Sequence, residues 1–255
     1  NGEGLQHQDG HSHILANTIP NCITYDPTFG FELAVIIQDG LRRMYHDHER
    51  VFYYITVMNE NYEHLPMPKG AEEGIKKGLY QLKKGAKGKL KVQLMGSGTI
   101  LHEVIAAQEL LKSDFKVDAD IWSATSINEL TREGRKFERE ALLNPDKKIQ
   151  VPHVTQCLQD TEGPVICATD YMKQYSEQIR AYMPKDKTYV TLGTDGFGRS
   201  DSREKLREFF EVDRYFITIA ALTALEKEGK VKSDVIAKAL KKYNISPDKL
   251  DPLYH

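Results

Sequence analysis

The sequence predicts an α/β protein with a mostly parallel sheet, and three observations carry that prediction. Short runs rich in β-branched and aromatic residues alternate with segments of helical periodicity, the order that builds strand–helix–strand units. The alternation stops at Leu65-Pro66-Met67-Pro68-Lys69-Gly70, where two prolines stand within three residues, and then starts afresh. With 255 residues, 40% of them hydrophobic, the chain can bury a real core in one large or two ordinary domains. The break in pattern places a domain boundary in the linker, dividing residues 1–67 from 68–255.

In the first part, Cys22-Ile23-Thr24-Tyr25 reads as a strand and Asp26-Pro27 as a helix start, an N-cap followed by proline in the first turn. Ala34, Ile37, Leu41 and Met44 then recur at helical spacing to about Tyr45, with Leu33 and Ile36 widening the apolar face. Val51-Phe52-Tyr53-Tyr54-Ile55-Thr56-Val57 reads as the next strand. Beyond it lie Asn59, Glu60 and Tyr62, at the carboxyl end of a predicted parallel strand, where open α/β sheets keep their sites. They read either as a hydrogen-bonded turn into the linker or as ligand contacts.

In the second part, Gly88 and Lys89 lead to a strand over 90–95, Gly96-Ser97-Gly98-Thr99 opens a helix over 100–112, and a strand follows near 120–123. Glycines ahead of a helix can cradle a phosphate, but this triplet falls short of the dinucleotide fingerprint and reads better as a tight turn. Trp122 belongs to the core. Ser126-Ile127-Asn128-Glu129 fits a capping box for a helix through Leu143, ended by Asn144-Pro145. Val165-Ile166-Cys167-Ala168 is a buried strand, Thr169-Asp170 caps a helix to about Tyr182, and Tyr189-Val190-Thr191-Leu192 is another strand. In the stretch from Gly193 to Arg203, the glycines with Arg199 and Arg203 compose an anion pocket on one reading. On the other, which is favoured, Asp201 and Ser202 cap a helix over 204–210 while the glycines turn the chain. Helices over 212–228 and 233–243 finish the part, with Asn244 and Pro247 as stops.

The first thirteen residues, polar and glycine-rich, hold three of the nine histidines. Such a stretch reads in three ways: a mobile chain end, a metal site formed by His7, Asp9, His11 and His13 on one side of an extended strand, or a catalytic histidine after a tight Gly-Glu-Gly turn. No known zinc spacing fits, so no metal ligand is assigned. Balanced charge, 35 basic against 37 acidic side chains, points away from nucleic acid as a partner. Cys22, Cys157 and Cys167 have no paired spacing, which fits packing roles in a reducing cytoplasm. The chain shows neither a membrane-spanning run nor a leader, so neither membrane insertion nor secretion is indicated. Its start inside a motif, without methionine, is expected of a fragment.

Gly2-Glu3-Gly4-Leu5-Gln6-His7-Gln8-Asp9-Gly10-His11-Ser12-His13 resembles the active-site loop of the homodimeric, bacterial-type pyruvate dehydrogenase E1 component, a thiamine diphosphate enzyme related to transketolase. Thr18-Ile19-Pro20-Asn21-Cys22, Asn59-Glu60-Asn61-Tyr62, Gly70-Ala71-Glu72-Glu73-Gly74-Ile75 and Leu192-Gly193-Thr194-Asp195-Gly196-Phe197-Gly198-Arg199-Ser200-Asp201-Ser202-Arg203 resemble the same family in the same order. The likeness covers essentially the whole chain and decides for the third reading of the loop.

The resemblance implies the end of a pyrimidine-binding α/β domain, residues 1–67, followed by a complete transketolase C-terminal-like α/β domain, residues 68–255. It implies thiamine diphosphate and Mg²⁺ as cofactors, with their main binding residues outside this chain. It implies decarboxylation of pyruvate and transfer of the two-carbon unit to the lipoyl group of an E2 acyltransferase, with a second E1 subunit as the other partner, in the cytoplasm. His7 is then the catalytic residue and Glu3 anchors the cofactor region, while Gln6, His11 and His13 support substrate or loop. The fragment alone is expected to be inactive. The competing expectation is a dimerisation and docking module without catalysis of its own.

Overall fold

The structure, a computed structural model, describes residues 8–59 and 61–255. Two parallel strands, β1 (Cys22–Tyr25) and β2 (Phe52–Ile55), pair in register from Cys22 opposite Phe52 to Tyr25 opposite Ile55. The chain reaches them through a short helix, α1 (Ser12–Asn17), and joins them by α2 (Gly30–Leu41) and a turn of π-helix over Arg42–His46. A parallel pair needs such a crossover. The second sheet is built from β3 (Tyr80–Lys83), β4 (Lys91–Gly96), β5 (Asp118–Ser123), β6 (Val165–Ala168) and β7 (Tyr189–Leu192). Its order is β3-β5-β4-β6-β7, parallel throughout except for β3, which runs antiparallel along β5 at one edge.

Side chains of this second sheet alternate between two covered faces. Val92, Leu94, Ala119, Ile121, Ile166 and Ala168 join the core formed with α4 (Ile100–Phe115), α9 (Arg214–Lys227) and α10 (Ser233–Lys242). Met95, Trp122, Val165 and Cys167 join the opposite core with α5 (Ile127–Leu143), α6 (His153–Leu158) and α7 (Lys173–Glu177). That two-sided burial is what a parallel sheet requires. A third, smaller core ties Ile23, Tyr25 and Ile36 of the first sheet and α2 to Ile75 of α3 (Glu72–Lys77) and Tyr80 of β3. Trp122 is buried as expected, its indole N–H donating to Gln93 Oε1 at 2.8 Å. Cys22 and Cys167 are buried and all three cysteines are free.

Four elements escaped the sequence reading: α1, α3, β3 and α6. Three are six-residue helices and the fourth a four-residue edge strand, too short to show a periodicity. Two expected caps are corrected. Asp26 does not cap α2; the helix starts four residues later, and Glu32 reaches back to accept the Phe29 N–H at 2.9 Å and the Thr28 N–H at 2.5 Å. Thr169 and Asp170 do not cap a helix to Tyr182, because the chain turns first and α7 begins only at Lys173. The apolar face of α2 is also corrected: Glu32, Ile36 and Gly40 are buried, whereas Ala34, Ile37 and Leu41 face outward. Ser126 caps α5 as expected, accepting the Glu129 N–H at 3.0 Å. Among the described residues no helix is long and apolar enough to cross a membrane.

Candidate functional site

All the strands of both sheets except β3 run parallel to their neighbours, and the segments after their carboxyl ends converge. The turns after β1, β2, β4, β6 and β7 contribute Asp26, Thr56, Thr99, Asp170 with Tyr171, and Thr194 to one cavity of about 450 Å³. Gln8 to His11 close it from the chain's start, and Arg203 and Arg207 from α8 (Arg203–Phe209). Crevices at strand carboxyl ends are where open α/β sheets bind their ligands.

Asp26 lies at the centre of the convergence. It is 1% exposed, directly follows the buried strand β1, and its carboxylate accepts from Ser97 Oγ at 2.7 Å and from Thr56 Oγ1 at 2.7 Å. Burial pushes its pKa up to about 6 against the two hydroxyl donors, with the charge of Asp9 adding to the rise. Asp170, across the same cavity, is likewise pushed up to about 6, first by burial and then by the charge of Asp26, with Arg207 pulling the other way. The Gly96-Ser97-Gly98-Thr99 turn is shaped to this carboxylate. Gly98 has φ +49°, and a Cβ there would stand 2.6 Å from Asp26 Oδ2. The turn thus seats a carboxylate of the chain itself.

His13 is fully buried, not a surface ligand. Its ring lies against Tyr54, Tyr171 and Tyr175, with centroids 5.4, 4.7 and 5.2 Å away, and Nε2 stands 3.0 Å from Thr56 Oγ1. Burial lowers its pKa to about 4 despite the attraction of Asp9, so the ring is neutral at pH 7. The extended metal strand is therefore corrected. Asp9 accepts the His11 and Ser12 N–H groups at 3.1 and 3.0 Å and sets α1 going, so His11 stays exposed while His13 turns inward. Burial works to raise the Asp9 pKa, but bonds from Ser12 and His11 outweigh it and leave it lowered. Among the described residues no group of three or more His, Cys, Asp or Glu side chains could hold a metal ion. His7, Glu3 and Gln6 lie outside the described residues, as does Glu60.

The remaining sequence-predicted residues knit the two parts together. Tyr62 shares a hydrogen bond of 2.9 Å with Thr99 Oγ1 and stacks on His102, and Asn59 Oδ1 accepts from Arg203 at 2.8 Å. Arg207 donates to Thr99 Oγ1 at 2.8 Å, to Tyr62 OH at 3.2 Å and to Glu103 Oε1 at 3.2 Å. Arg199 lies over the Phe209 ring at 4.5 Å, and Ser202 caps α8 by accepting the Lys205 N–H at 3.3 Å. These contacts favour the capping reading of the 193–203 stretch. A larger hollow of about 840 Å³ lies between α8, the start of α9 and the chain's end. Its two arginines share one partner, buried Glu103, and its Lys249 pairs with Glu211 outside it.

Sequence reasoning missed Thr56, Ser97, Tyr171, Tyr175 and Arg207, and took Asp26 and Asp170 for caps. The usable signal was position: both aspartates stand just past four-residue strands with no exposed residue.

Comparison with known proteins adds the following. Residues 1–65 match the family model of the pyruvate dehydrogenase E1 component middle domain, and residues 78–213 match that of the transketolase-like TK C-terminal domain. The pyruvate dehydrogenase E1 component of Cupriavidus necator is 57% identical over 255 residues, 99% of this chain and 28% of the relative. That of Escherichia coli K12 is 53% identical over 255 residues, again 99% of this chain and 28% of the relative. The chain thus spans little more than a quarter of the length of these relatives. Among solved structures, transketolase from Leishmania mexicana overlays 89% of this chain with a TM-score of 0.61 at 15% identity, using 28% of its own length. Transketolase from Campylobacter jejuni overlays 88% with a TM-score of 0.59 at 18% identity, using 29% of its own.

Proposed function

The chain belongs to the family of the transketolase-like C-terminal domain, whose model matches more than half of it, and from that premise we propose that it is part of a pyruvate dehydrogenase E1 component. The observation that carries the proposal is the identity of 53–58% over 99% of the chain to proteins of that name. The whole enzyme would decarboxylate pyruvate with thiamine diphosphate and Mg²⁺ and reductively acetylate the lipoyl group of an E2 acyltransferase. Residues 1–67 would end its pyrimidine-binding domain and residues 68–255 form its C-terminal domain. A second E1 subunit and E2 are its proposed partners, and the cytoplasm its place.

The described residues do not fit a diphosphate with its metal. The cavity presents three carboxylates, Asp9, Asp26 and Asp170, of which Asp26 is buried and Asp170 half-buried, and its Arg207 is already engaged with Thr99, Tyr62 and Glu103. Inward carboxylates repel a polyanion, and the Gly96–Thr99 turn is already taken up by Asp26, the Gly98 N–H donating to its backbone carbonyl at 3.2 Å and the Ser97 hydroxyl to its side chain at 2.7 Å. The diphosphate and its metal would therefore be held by residues outside this chain, and the chain alone would be inactive. What this chain offers is a wall of the site, with Gln8 to His11 along it, and the sequence motif of residues 1–13. In that motif His7 would donate a hydrogen bond to the oxyanion that develops on the substrate, or move a proton during transfer. Glu3 would anchor the loop, Gln6 and His11 would support it, and His13 would hold its far end through Thr56.

The test is pyruvate-dependent dye reduction by the full-length protein, with and without thiamine diphosphate and Mg²⁺, for the unaltered protein and for His7→Ala. Cofactor-dependent turnover falling by at least about tenfold in the variant is expected. Turnover indifferent to the cofactors would overturn the proposed function, and turnover unaltered in the variant would overturn the role of His7.

A further inference from the structure

A hydrogen-bond chain runs from the cavity to the loop and has a determinate direction. Thr56 Oγ1 has one proton, and its short contact of 2.7 Å with the Asp26 carboxylate directs that proton there; the backbone oxygen of Tyr25, 3.4 Å away, is a weaker acceptor, as is the neutral hydroxyl of Tyr171, which can itself donate. With its proton committed, Thr56 meets the His13 ring at 3.0 Å only as an acceptor, so Nε2 of His13 must carry hydrogen. Nδ1 of His13 is buried in the tyrosine box with no hydrogen-bond partner, so a proton there would be an orphaned buried donor. Carboxylate, hydroxyl and imidazole therefore fix one another.

The same histidine seats the loop. Its backbone carbonyl accepts from Asn128 Nδ2 at 3.0 Å, and it stands two residues past His11, which lines the cavity. The carbonyl of Gly10, just before, accepts the Met172 N–H at 3.0 Å.

We propose that Asp26 is the positioning residue of this site: as a carboxylate it sets, through Thr56, the tautomer of His13, and so holds the segment from Gln8 to His11 against the cavity. The catalytic part of the proposal rests on the function proposed above; the assignment of the tautomer does not. The charged and titratable groups around Asp26 are Asp9 from the loop, His13 from α1, Asp170 and Tyr171 after β6, and Tyr175 from α7, with Arg207 of α8 on the same cavity. Protonation of Asp26 would let Thr56 turn its proton toward His13, which releases the lock, and the raised pKa of Asp26 places that release on the acid side of neutrality.

Two measurements on the full-length protein test this. Neutron diffraction at pH 7.5 should show hydrogen on Nε2 and none on Nδ1 of His13, with Asp26 ionised; hydrogen on Nδ1 overturns the proposal. Turnover should fall at least about tenfold in Thr56→Val, whose shape is kept and whose hydroxyl is gone, because small misplacements of a reacting group have effects of that size. Thr56→Ser, which restores the hydroxyl, should recover most of it, and a Thr56→Val enzyme as fast as the unaltered one overturns the positioning role. Asp26→Asn, if it folds, should leave a flatter acid limb of turnover against pH. An unaltered protein that shows the Nε2 tautomer but no pyruvate turnover supports the hydrogen-bond assignment and strikes only the functional reading.

Discussion

The two sheets solve burial in opposite ways. The five-stranded sheet covers each face with helices and fills both with aliphatic and aromatic side chains, among them Leu94, Ile121 and Ile166 at no more than 1% exposure. The two-stranded sheet closes its small core only on the side of α2, α3 and β3, and α2 leaves Ile37, Leu41 and, past its end, Tyr45 exposed. Beyond the apolar contact with β3 at one edge, what joins it to the larger sheet is polar. Glu32, Asp26, Thr24 and His13 are all buried and all hydrogen-bonded across the seam or along it. One sheet is held by apolar area, the other largely by a hydrogen-bonded network, and a network of this kind is strongly stabilising only while its donors keep their partners. Predictions that discriminate the two kinds of support therefore concern the seam.

The largest effect is expected at Glu32. Its carboxylate takes four hydrogen bonds, from Tyr80 OH at 2.7 Å, Ser123 Oγ at 2.6 Å and the amides of Thr28 and Phe29. Burial raises its pKa, and these four donors oppose the rise. Glu32→Ala would orphan all four donors at once and is expected to destabilise by about 3–5 kcal/mol in urea unfolding, as much as a large-to-small change in the five-stranded core. A loss under about 1 kcal/mol would mean that the seam is incidental and the comparison between the sheets wrong.

The second prediction uses pH. His13 has a folded pKa of about 4 against an ordinary value of 6.5, so the unfolded chain binds its proton first. Stability from this group is therefore full above about 6.5 and falls as pH drops toward 4, by about 2.5 kcal/mol at pH 4.5. Asp26, Asp170 and Asp213 act with the opposite sign. Their folded pKa values of about 6 lie above the ordinary 3.8, so the folded state gains relative stability as pH falls through 6. His13→Gln should therefore steepen that gain on acidification, with the variant losing less stability than the unaltered protein between pH 7 and 4.5. Parallel curves for the two proteins would place His13 in water rather than in the tyrosine box.

How much of this was legible in the sequence follows the same division. The run Val165-Ile166-Cys167-Ala168 and the capping box Ser126–Glu129 of α5 are local patterns, and their elements are found close to where those patterns set them. Asp26-Pro27 carries an equally good local pattern for a helix start, but the helix moves to Gly30 because Ser97 and Thr56, 71 and 30 residues away, claim the carboxylate. Ile37 and Leu41 misled for a related reason: α2 has apolar residues on more than one side, and periodicity does not say which side meets the core. Residues of the site are visible to sequence reasoning when they form a motif. When they are brought together from five strand ends, only the fold reveals them.

The smallest expected effect sharpens the comparison, because it sets two chemically identical caps against each other. Ser202 caps α8 at the surface, and its hydroxyl accepts the Lys205 N–H at 3.3 Å. Ser126 caps α5 in the seam, where the hydroxyl accepts the Glu129 N–H at 3.0 Å and also donates to the Thr24 carbonyl of β1 at 2.6 Å. Replacing Ser202 by alanine removes one exposed cap, about 1 kcal/mol or less. Replacing Ser126 removes a cap and leaves a buried carbonyl without that donor, about 2 kcal/mol or more. The ratio of the two urea-unfolding losses thus measures what the seam adds to a cap. Equal losses would show that the Ser126–Thr24 bond contributes nothing, and that the small sheet leans on its neighbour through apolar contact alone.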